Sequence, residues 1–366
     1  MRISSLFTGL LGLATIVFAH PGHDIKAEAA ERASALKGIH TRSLDKCSTE
    51  PNAHTIEAAN VARRKTMLHR IRQARGLTGP VLQRDLAPLN ASHASNLSVT
   101  PSTDPATLFQ SSGSCILAED TTQGPYYVSG ELIRRTLTES QQGIPLYLDI
   151  QLVDSSTCAP VPSIWVDLWS CNATGVYSGV SEAGNGVGEN DQANLSRTFL
   201  RGLQQTDDAG VVQFHTLVPG HYAGRANHVH MLAHGHGTSV NTNNGTLSGL
   251  YAPDSMRSAQ IFFDQGLISD VEETEPYAGN GVKHTANVED FILRQELDGG
   301  IDPFVDWVLL GEDIRDGVFG WIRVALDKEA EAEDVAPAVF RTGEGGVENE
   351  DFSWPAGGPP TLPTPW

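Results

Sequence analysis

The sequence predicts a mainly β protein: a β-sandwich domain preceded by an N-terminal helical segment and followed by a disordered acidic, Pro- and Gly-rich C-terminal tail. Three observations predict this order. Residues 113–326 contain short segments that alternate apolar and polar residues and are separated by Gly, Pro and Asn, which is typical of a sandwich. Within residues 20–112, one stretch has the period of a helix. Residues 327–366 are acidic and then rich in Gly and Pro, a composition that favours disorder.

The first 19 residues have the pattern of a secretory signal peptide. Arg2 is followed by an apolar run from Leu6 to Phe18, and Ala19 supplies the small residue that precedes a cleavage site. The run is short for a membrane span, so a cleaved signal peptide is preferred over an uncleaved anchor. We therefore predict that residues 1–19 are a signal peptide and that the protein is secreted and extracellular.

Two further features agree with secretion. Asn-x-Ser/Thr sequons, each a candidate glycan site on a surface loop, occur at Asn90, Asn96, Asn172, Asn194 and Asn244. The chain has four cysteines, Cys47, Cys115, Cys158 and Cys171, an even number that predicts two disulfides in an oxidising compartment. Among the three connectivities we favour Cys158 with Cys171, because they flank an apparent strand–turn–strand, but the sequence does not settle the pairing.

Residues 20–112 are predicted to hold one helix and a linker. In TIEAANVARRKTMLHRIRQARG the apolar positions Ile56, Val61, Leu68 and Ile71 fall roughly on one face, and Gly76 is placed to end the helix. Residues 77–107 are rich in Ser, Asn and Pro, which indicates a linker.

The predicted strands all lie within residues 113–326. The segment LYLDIQLVD has the apolar positions Leu146, Leu148, Ile150 and Leu152, which alternate with polar or aromatic ones, as expected for a half-buried strand. The segment SIWVDLW repeats the pattern with Ile164, Val166 and Leu168. Further strands are predicted at residues 198–203, 211–214, 227–232, 260–263 and 319–326.

Composition excludes two classes of partner. The chain of 366 residues has a net charge of -19, whereas binding to nucleic acid or to an anionic membrane needs clustered positive charge. The hydrophobic fraction of 40% is enough to build a core. We expect neither a nucleic-acid nor a membrane partner.

Candidate metal ligands cluster in HYAGRANHVHM, residues 221–231. His228 and His230 are two residues apart on a predicted strand, so both imidazoles project from the same face and can converge on one metal. A single H-x-H is a weak signal, and the second one, His234 and His236, is flanked by Gly and is interpreted as a loop without a function. Two glycine-flanked turns add Tyr177 and Tyr222 as candidate ligands.

At these residues the chain resembles the intradiol ring-cleavage dioxygenases. The segments TGVYS, VPGHY and RANHVH are similar to the two tyrosine turns and the histidine pair of that family, in the expected order. GPYYVSGELIR (residues 124–134) and SAQIFF (residues 258–263) extend the resemblance over about 115–265. Ala226 stands where the family has proline, and the short interval from Tyr222 to His228 resembles the secreted fungal branch.

The resemblance implies a β-sandwich catalytic domain with a mononuclear Fe(III) cofactor held by Tyr177, Tyr222, His228 and His230. Phenolate oxygen is a hard anionic donor that favours Fe(III), and imidazole completes the site. The implied reaction cleaves the ring of a small aromatic diol with O2 to give a muconic acid. Arg225 and Gln260 fall where the family has residues that face the substrate, although a structural hydrogen bond is a serious alternative for Arg225.

Two other classes of function stay open at this point. The domain could be a secreted binding module, for carbohydrate or another ligand, in which the histidines are incidental. It could also be a copper or zinc protein, since cleavage after Ala19 exposes His20 at a new N-terminus. The identity of the aromatic diol is not fixed by the sequence. The oligomeric state is not fixed either, and a homodimer is left open.

Overall fold

The computed structural model describes residues 47, 50–79, 114–116, 124, 126–186, 191–234, 256–298, 301–326, 337–342 and 345–349. The predictions for residues 1–19, for His20 and for the sequons at Asn90, Asn96 and Asn244 lie outside these residues. None of the helices in the described ranges is long and apolar enough to cross a membrane.

The described residues hold three α-helices and twelve strands. The helices are α1 (Ala53–Ala74), α2 (Gln265–Glu272) and α3 (Phe291–Asp298). The strands are β1 (Ser114–Ile116), β2 (Val128–Ser129), β3 (Pro145–Asp154), β4 (Trp165–Trp169), β5 (Arg201–Gln205), β6 (Val211–Leu217), β7 (His228–His234), β8 (Met256–Phe262), β9 (Asp306–Leu309), β10 (Val318–Leu326), β11 (Val339–Thr342) and β12 (Gly345–Glu348).

Two sheets form the sandwich. One has the order β1-β10-β3-β6 with β9 added to β10, and the other is the antiparallel sheet β5-β4-β7-β8. The core lies between them, with Leu148 and Phe214 from the first sheet and Val166, Val229 and Ile261 from the second in one buried cluster. The mainly β fold class is confirmed, and each of the seven predicted strands overlaps an observed one.

Helix α1 covers the outer face of the five-stranded sheet. Val61, Leu68 and Ile71, on the predicted apolar face, pack in one cluster with Phe319 and Trp321. This confirms the predicted helix and its buried face.

Strand β3 is buried on both faces, unlike the half-buried strand that its alternation predicts. Its polar face lies under α1, where Asp149 accepts a hydrogen bond of 2.7 Å from Arg63 and is fully buried. The sequence pattern of β3 predicts one apolar face; the other face is covered by α1, which packs on the sheet through apolar side chains and through the contact between Arg63 and Asp149.

The prediction of a disordered tail is wrong for residues 339–342 and 345–348. Strand β11 pairs in parallel with β2 and in antiparallel with β12. Val339 is only 2% exposed and packs in one cluster with Tyr126 and Tyr177. The stability that β11 gains by pairing with β2, more than two hundred residues earlier, exceeds the tendency of the local acidic and Gly-rich composition toward disorder. A local sequence pattern does not predict such long-range pairing.

The predicted pairing of Cys158 with Cys171 is also wrong. Among the described residues, Cys47 forms a disulfide with Cys158, and their Cα atoms are 5.5 Å apart. Cys171 is a buried free thiol that donates a hydrogen bond of 3.3 Å to the carbonyl of Gly220. The apparent strand–turn–strand does not form a hairpin, because β3 and β4 belong to different sheets. Burial raises the pKa of the Cys171 thiol far above its ordinary value.

Candidate metal centre

Three predicted ligand atoms converge at the start of β7. His228 and His230 lie on the same face of the strand, and their Nε2 atoms are 3.1 Å apart. Tyr222 lies in the loop before the strand, and its Oη is 3.2 Å from His228 Nε2. All three side chains are at most 4% exposed. The geometry therefore brings two imidazoles and one phenol to a single point.

The fourth predicted ligand, Tyr177, lies beside these three. Its ring centroid is 5.5 Å from that of Tyr222 and 5.9 Å from that of His230. Within the described residues its buried hydroxyl has no hydrogen-bond partner of good geometry. Burial raises the pKa of Tyr177 well above its ordinary value, the neighbouring Tyr222 raises it further, and Arg225 lowers it. A bound cation would reverse this trend, because it stabilises the phenolate.

The hydrogen bond on the far side of the His228 ring orients that ring. His228 Nδ1 lies 2.7 Å from the carbonyl oxygen of Ala226, which can only accept, so the proton is on Nδ1. Nε2 then carries a lone pair directed at Tyr222 and His230. This is the tautomer that a metal-binding imidazole needs, held by a backbone carbonyl.

Two buried asparagines fix the backbone of Tyr177. Asn185 accepts from the Tyr177 N–H at 2.7 Å and donates to the Tyr177 carbonyl at 2.7 Å. Asn194 donates to the same carbonyl at 2.9 Å and to Val180 O at 2.5 Å. Asn194 is fully buried, and its amide nitrogen donates hydrogen bonds inside the fold. The prediction of a glycan site at Asn194 is therefore wrong.

Two glycines allow close approaches around the site. A Cβ on Gly175, where φ is +81°, would lie 2.3 Å from the carbonyl oxygen of His221. The turn that carries Tyr177 therefore packs directly on the backbone next to Tyr222. A Cβ on Gly124 would lie 2.9 Å from Cε1 of His230, so the backbone at Gly124 lies against that imidazole. Both contacts require a residue without a side chain.

Arg225 and Gln260 also reach the site, and they are linked. Gln260 is the register partner of His230 across β7 and β8, and its Oε1 accepts a hydrogen bond from Arg225. Arg225 Nε donates to Asp290 Oδ2 at 2.9 Å, and Arg225 and Asp290 are both fully buried. All six predicted site residues are thus brought together, and Asp290 joins them without any signal in the sequence that singles it out.

A buried polar cluster lies further along the same sheet face. Arg201 donates to Glu131 at 3.0 Å, to Tyr126 O at 2.6 Å and to Ser178 O at 2.8 Å. Burial raises the pKa of Glu131 well above its ordinary value, and the neighbouring Asp167 adds to this. Arg201 therefore links Ser178, the residue after Tyr177, to Tyr126.

Asp167 and His234 belong to the same cluster. Burial raises the pKa of Asp167 to about 7, against the lowering effects of Glu131 and Arg201. His234 Nε2 lies 3.8 Å from Asp167 Oδ2, and both side chains are fully buried. The interpretation of His234 as part of a loop is wrong, because it ends β7 inside the fold; His236 lies outside the described residues.

The donor set fits a ferric ion. In the part of the chain that the structure describes, no group of three or more His, Cys, Asp or Glu side chains could hold a metal, so the metal hypothesis depends on the tyrosines. Two phenol oxygens and two imidazole nitrogens, buried together, form a donor set with hard anionic character. Tyr177 Oη, buried and without a partner of good geometry among the described residues, is the atom that such an ion would satisfy.

A known protein family matches the part of the chain that contains the four proposed ligands. A family model described as Dioxygenase (Dioxygenase_C) matches residues 122–239, a stretch that contains Tyr177, Tyr222, His228 and His230. The resemblance to the ring-cleavage dioxygenases is confirmed. Residues 122–239 are called the matched segment below. The assignment to a secreted fungal branch stays a prediction.

Solved structures of dioxygenases are similar to the chain. An intradiol ring-cleavage dioxygenase from Tetranychus urticae is 26% identical with a TM-score of 0.46, over 61% of this chain and 98% of that one. The dioxygenase domain of a dioxygenase–carbohydrate-binding protein fusion from Streptomyces sp. SirexAA-E is 21% identical with a TM-score of 0.35, over 56% and 95%. Catechol 1,2-dioxygenase from Acinetobacter sp. ADP1 is 17% identical with a TM-score of 0.35, over 56% and 60%. No curated protein sequence matches the chain significantly.

Proposed function

We propose that the protein is a secreted non-haem Fe(III) intradiol dioxygenase that cleaves a catechol-type ring with O2 to a muconic acid. The family match supports catechol-type ring cleavage in general. The observation that supports the finer proposal is that His228 Nε2 lies 3.2 Å from Tyr222 Oη and 3.1 Å from His230 Nε2, beside the buried hydroxyl of Tyr177.

The four proposed ligands supply two kinds of donor atom, imidazole nitrogen and phenolate oxygen. His228 and His230 supply neutral imidazole Nε2 donors on a rigid strand, and the Ala226 carbonyl keeps the His228 lone pair directed at the metal. Tyr177 and Tyr222 supply phenolate oxygens. When bound, a ferric ion would supply Lewis-acid and redox chemistry: it would draw electron density from the diol and so activate its ring toward O2. The Oη of Tyr177 or of Tyr222 would be the base that accepts a proton from the diol.

Arg225 provides fixed positive charge next to the site. Its guanidinium stays protonated at any pH that the protein tolerates. Held between Asp290 and Gln260, it lies close enough to lower the pKa of Tyr177. A preorganised cation of this kind stabilises negative charge that develops on the substrate during ring opening.

The secretory part of the proposal rests on the sequence of residues 1–19 and on the Cys47–Cys158 disulfide. Disulfides persist in oxidising compartments and are uncommon in the cytosol. The test is N-terminal sequencing of protein secreted by its native host. We expect it to begin after Ala19; an intact Met1 would refute secretion through this segment.

The catalytic part is tested with purified protein by metal analysis, a visible spectrum and O2 uptake with catechol and hydroxyquinol. We expect one iron per chain, a visible phenolate-to-iron band that shifts when the diol is added, and equal consumption of diol and O2. Iron-loaded protein without such a band would refute the proposed ligands. Copper bound in place of iron would favour the alternative at His20, and absence of both metal binding and O2 uptake would favour a binding module.

A further inference from the structure

We propose that Asp290 is a positioning residue that sets the direction of the Arg225 guanidinium in the site. The inference rests on the proposed function, because it assigns Arg225 a task in ring cleavage. Asp290 lies outside the matched segment of residues 122–239, immediately before α3.

One oxygen of the Asp290 carboxylate accepts two hydrogen bonds from the loop that precedes β7. Oδ2 accepts from Arg225 Nε at 2.9 Å and from the Ala226 N–H at 2.8 Å. The Ala226 carbonyl in turn accepts from His228 Nδ1. The same carboxylate oxygen therefore fixes the Arg225 side chain and the peptide that orients a proposed ligand.

The other oxygen anchors the carboxylate itself. Asp290 Oδ1 accepts from the backbone N–H of Leu293 at 2.9 Å, in the first turn of α3. A carboxylate there satisfies a free helix N–H and interacts favourably with the helix dipole. Because Leu293 is fully buried with Ala226 and Phe262, α3 is a fixed support for the carboxylate.

The NH2 group of Arg225 contacts a residue that lies beside the proposed ligands. Its NH2 group donates to Gln260 Oε1, and Gln260 is the register partner of His230. A guanidinium held at Nε by a carboxylate and at NH2 by an amide has a fixed plane. Without Asp290, Arg225 keeps its positive charge, but its guanidinium is no longer held in one orientation. We therefore expect a larger effect on kcat than on KM.

The main variant is Asp290→Asn. Its amide oxygen can still accept from Leu293, but its NH2 group would face two donors, Arg225 Nε–H and Ala226 N–H. Asp290→Ser is a second variant that also keeps a cap on α3 and is too short to reach Arg225. Arg294→Gly is the matched control, because it weakens the exposed middle of α3 by losing helix propensity and leaves both carboxylate contacts intact.

With catechol as the substrate of iron-loaded protein, we expect Asp290→Asn and Asp290→Ser to lower kcat by roughly tenfold or more while KM changes by less than about threefold. Iron content and the visible band should match the wild type, because the contact between His228 Nδ1 and the Ala226 carbonyl does not involve Asp290. Arg294→Gly should keep kcat within about twofold of the wild type although its Tm falls. In an Arg225→Ala background, Asp290→Asn should cause no further loss of kcat.

Each opposite result overturns the proposal. An Asp290→Asn enzyme with wild-type kcat shows that the direction of Arg225 does not depend on Asp290. A loss of kcat in Arg294→Gly equal to that in Asp290→Asn shows that only helix stability matters. Loss of the iron band in Asp290→Asn shows that the residue supports the metal ligands instead of Arg225.

A metal-free measurement separates this proposal from the proposed function. In chelator-treated protein, Asp290→Asn and Arg225→Ala should each lower Tm, and the double variant should fall by clearly less than the sum of the two shifts. Additive shifts would refute the coupling of the two residues. If the wild type does not cleave catechol but the Tm shifts are coupled, the proposed reaction fails and the contact between Asp290 and Arg225 stands as structural.

Discussion

Replacing Tyr177 by Phe should stabilise the metal-free protein while it removes a metal ligand. The ring keeps its volume and its packing against Tyr126 and Tyr222, at centroid distances of 5.0 and 5.5 Å. Only the hydroxyl is lost, and within the described residues that hydroxyl is buried without a hydrogen-bond partner of good geometry. An unsatisfied buried polar group costs about 1–3 kcal/mol. Because the Tyr222 hydroxyl lies nearby and offsets part of this cost, we expect the unfolding free energy to rise by about 1 kcal/mol.

Tyr222→Phe is the matched control, and its effect should have the opposite sign. The Tyr222 hydroxyl donates to His228 Nε2 at 3.2 Å, so its removal leaves that nitrogen without this partner. We expect the metal-free Tyr222→Phe protein to lose about 0.5–1.5 kcal/mol. Both variants should lose or alter the visible band after iron is added, because each lacks one phenolate.

The assay is urea unfolding of chelator-treated protein, followed by tryptophan fluorescence, with the visible spectrum recorded after iron is added. A shift of about 1 kcal/mol corresponds to roughly 2–4 °C in Tm for a domain of this size, so thermal unfolding gives a second reading. If Tyr177→Phe destabilised the metal-free protein by as much as Tyr222→Phe, the hydroxyl of Tyr177 would have a partner in the fold. If it also kept the colour of the wild type, Tyr177 would not be a ligand.

Three further variants test separate parts of the structure. His230→Ala should abolish iron binding, measured by metal analysis, because three ligands hold the ion poorly; retained stoichiometric iron would contradict the assignment. Asn185→Ala removes both hydrogen bonds to the Tyr177 backbone, so the visible band should shift or weaken, and an unchanged spectrum would show that the turn is held by other contacts. The pKa of Asp167 is raised by burial to about 7, above its unfolded value of 3.8, so the folded state binds the proton more tightly. The contribution of Asp167 to stability should therefore fall by roughly 3 kcal/mol as pH rises from about 4 to 7, and Asp167→Asn should reduce the slope of stability against pH in urea unfolding.

Local patterns predicted the elements that depend on local periodicity. The apolar positions of β3 and β4 alternate, and the core faces that they predict are the ones buried between the two sheets. The helical period of residues 55–76 likewise predicted α1 and the face that it buries. The tail hairpin was missed because its stability comes from pairing with β2, far away in the chain.

The Cys47–Cys158 disulfide was missed for the same reason. Cys158 follows β3 in a turn, and Cys47 reaches it from 111 residues earlier because the chain before α1 returns to the same end of the sheet. Spacing along the chain carries no information about such a return. A wrong pairing with Cys171 followed from treating two sequential strands as a hairpin, whereas they lie in opposite sheets.

For the site, the sequence by itself determined which residue types are available: two tyrosines in glycine turns, a histidine pair with the period of a strand, an arginine and a glutamine. Only the tertiary structure decided how they are supported. Asn185, Asn194 and Asp290 hold Tyr177 and Arg225 through side-chain contacts with the backbone and with a buried cation. Asn185 and Asn194 contact Tyr177 only when the loop that follows it folds back on it. Asp290 reaches Arg225 from 65 residues further along the chain. Residue spacing could predict the ligands, because neighbours on a strand share a face, but it could not predict the residues that orient them.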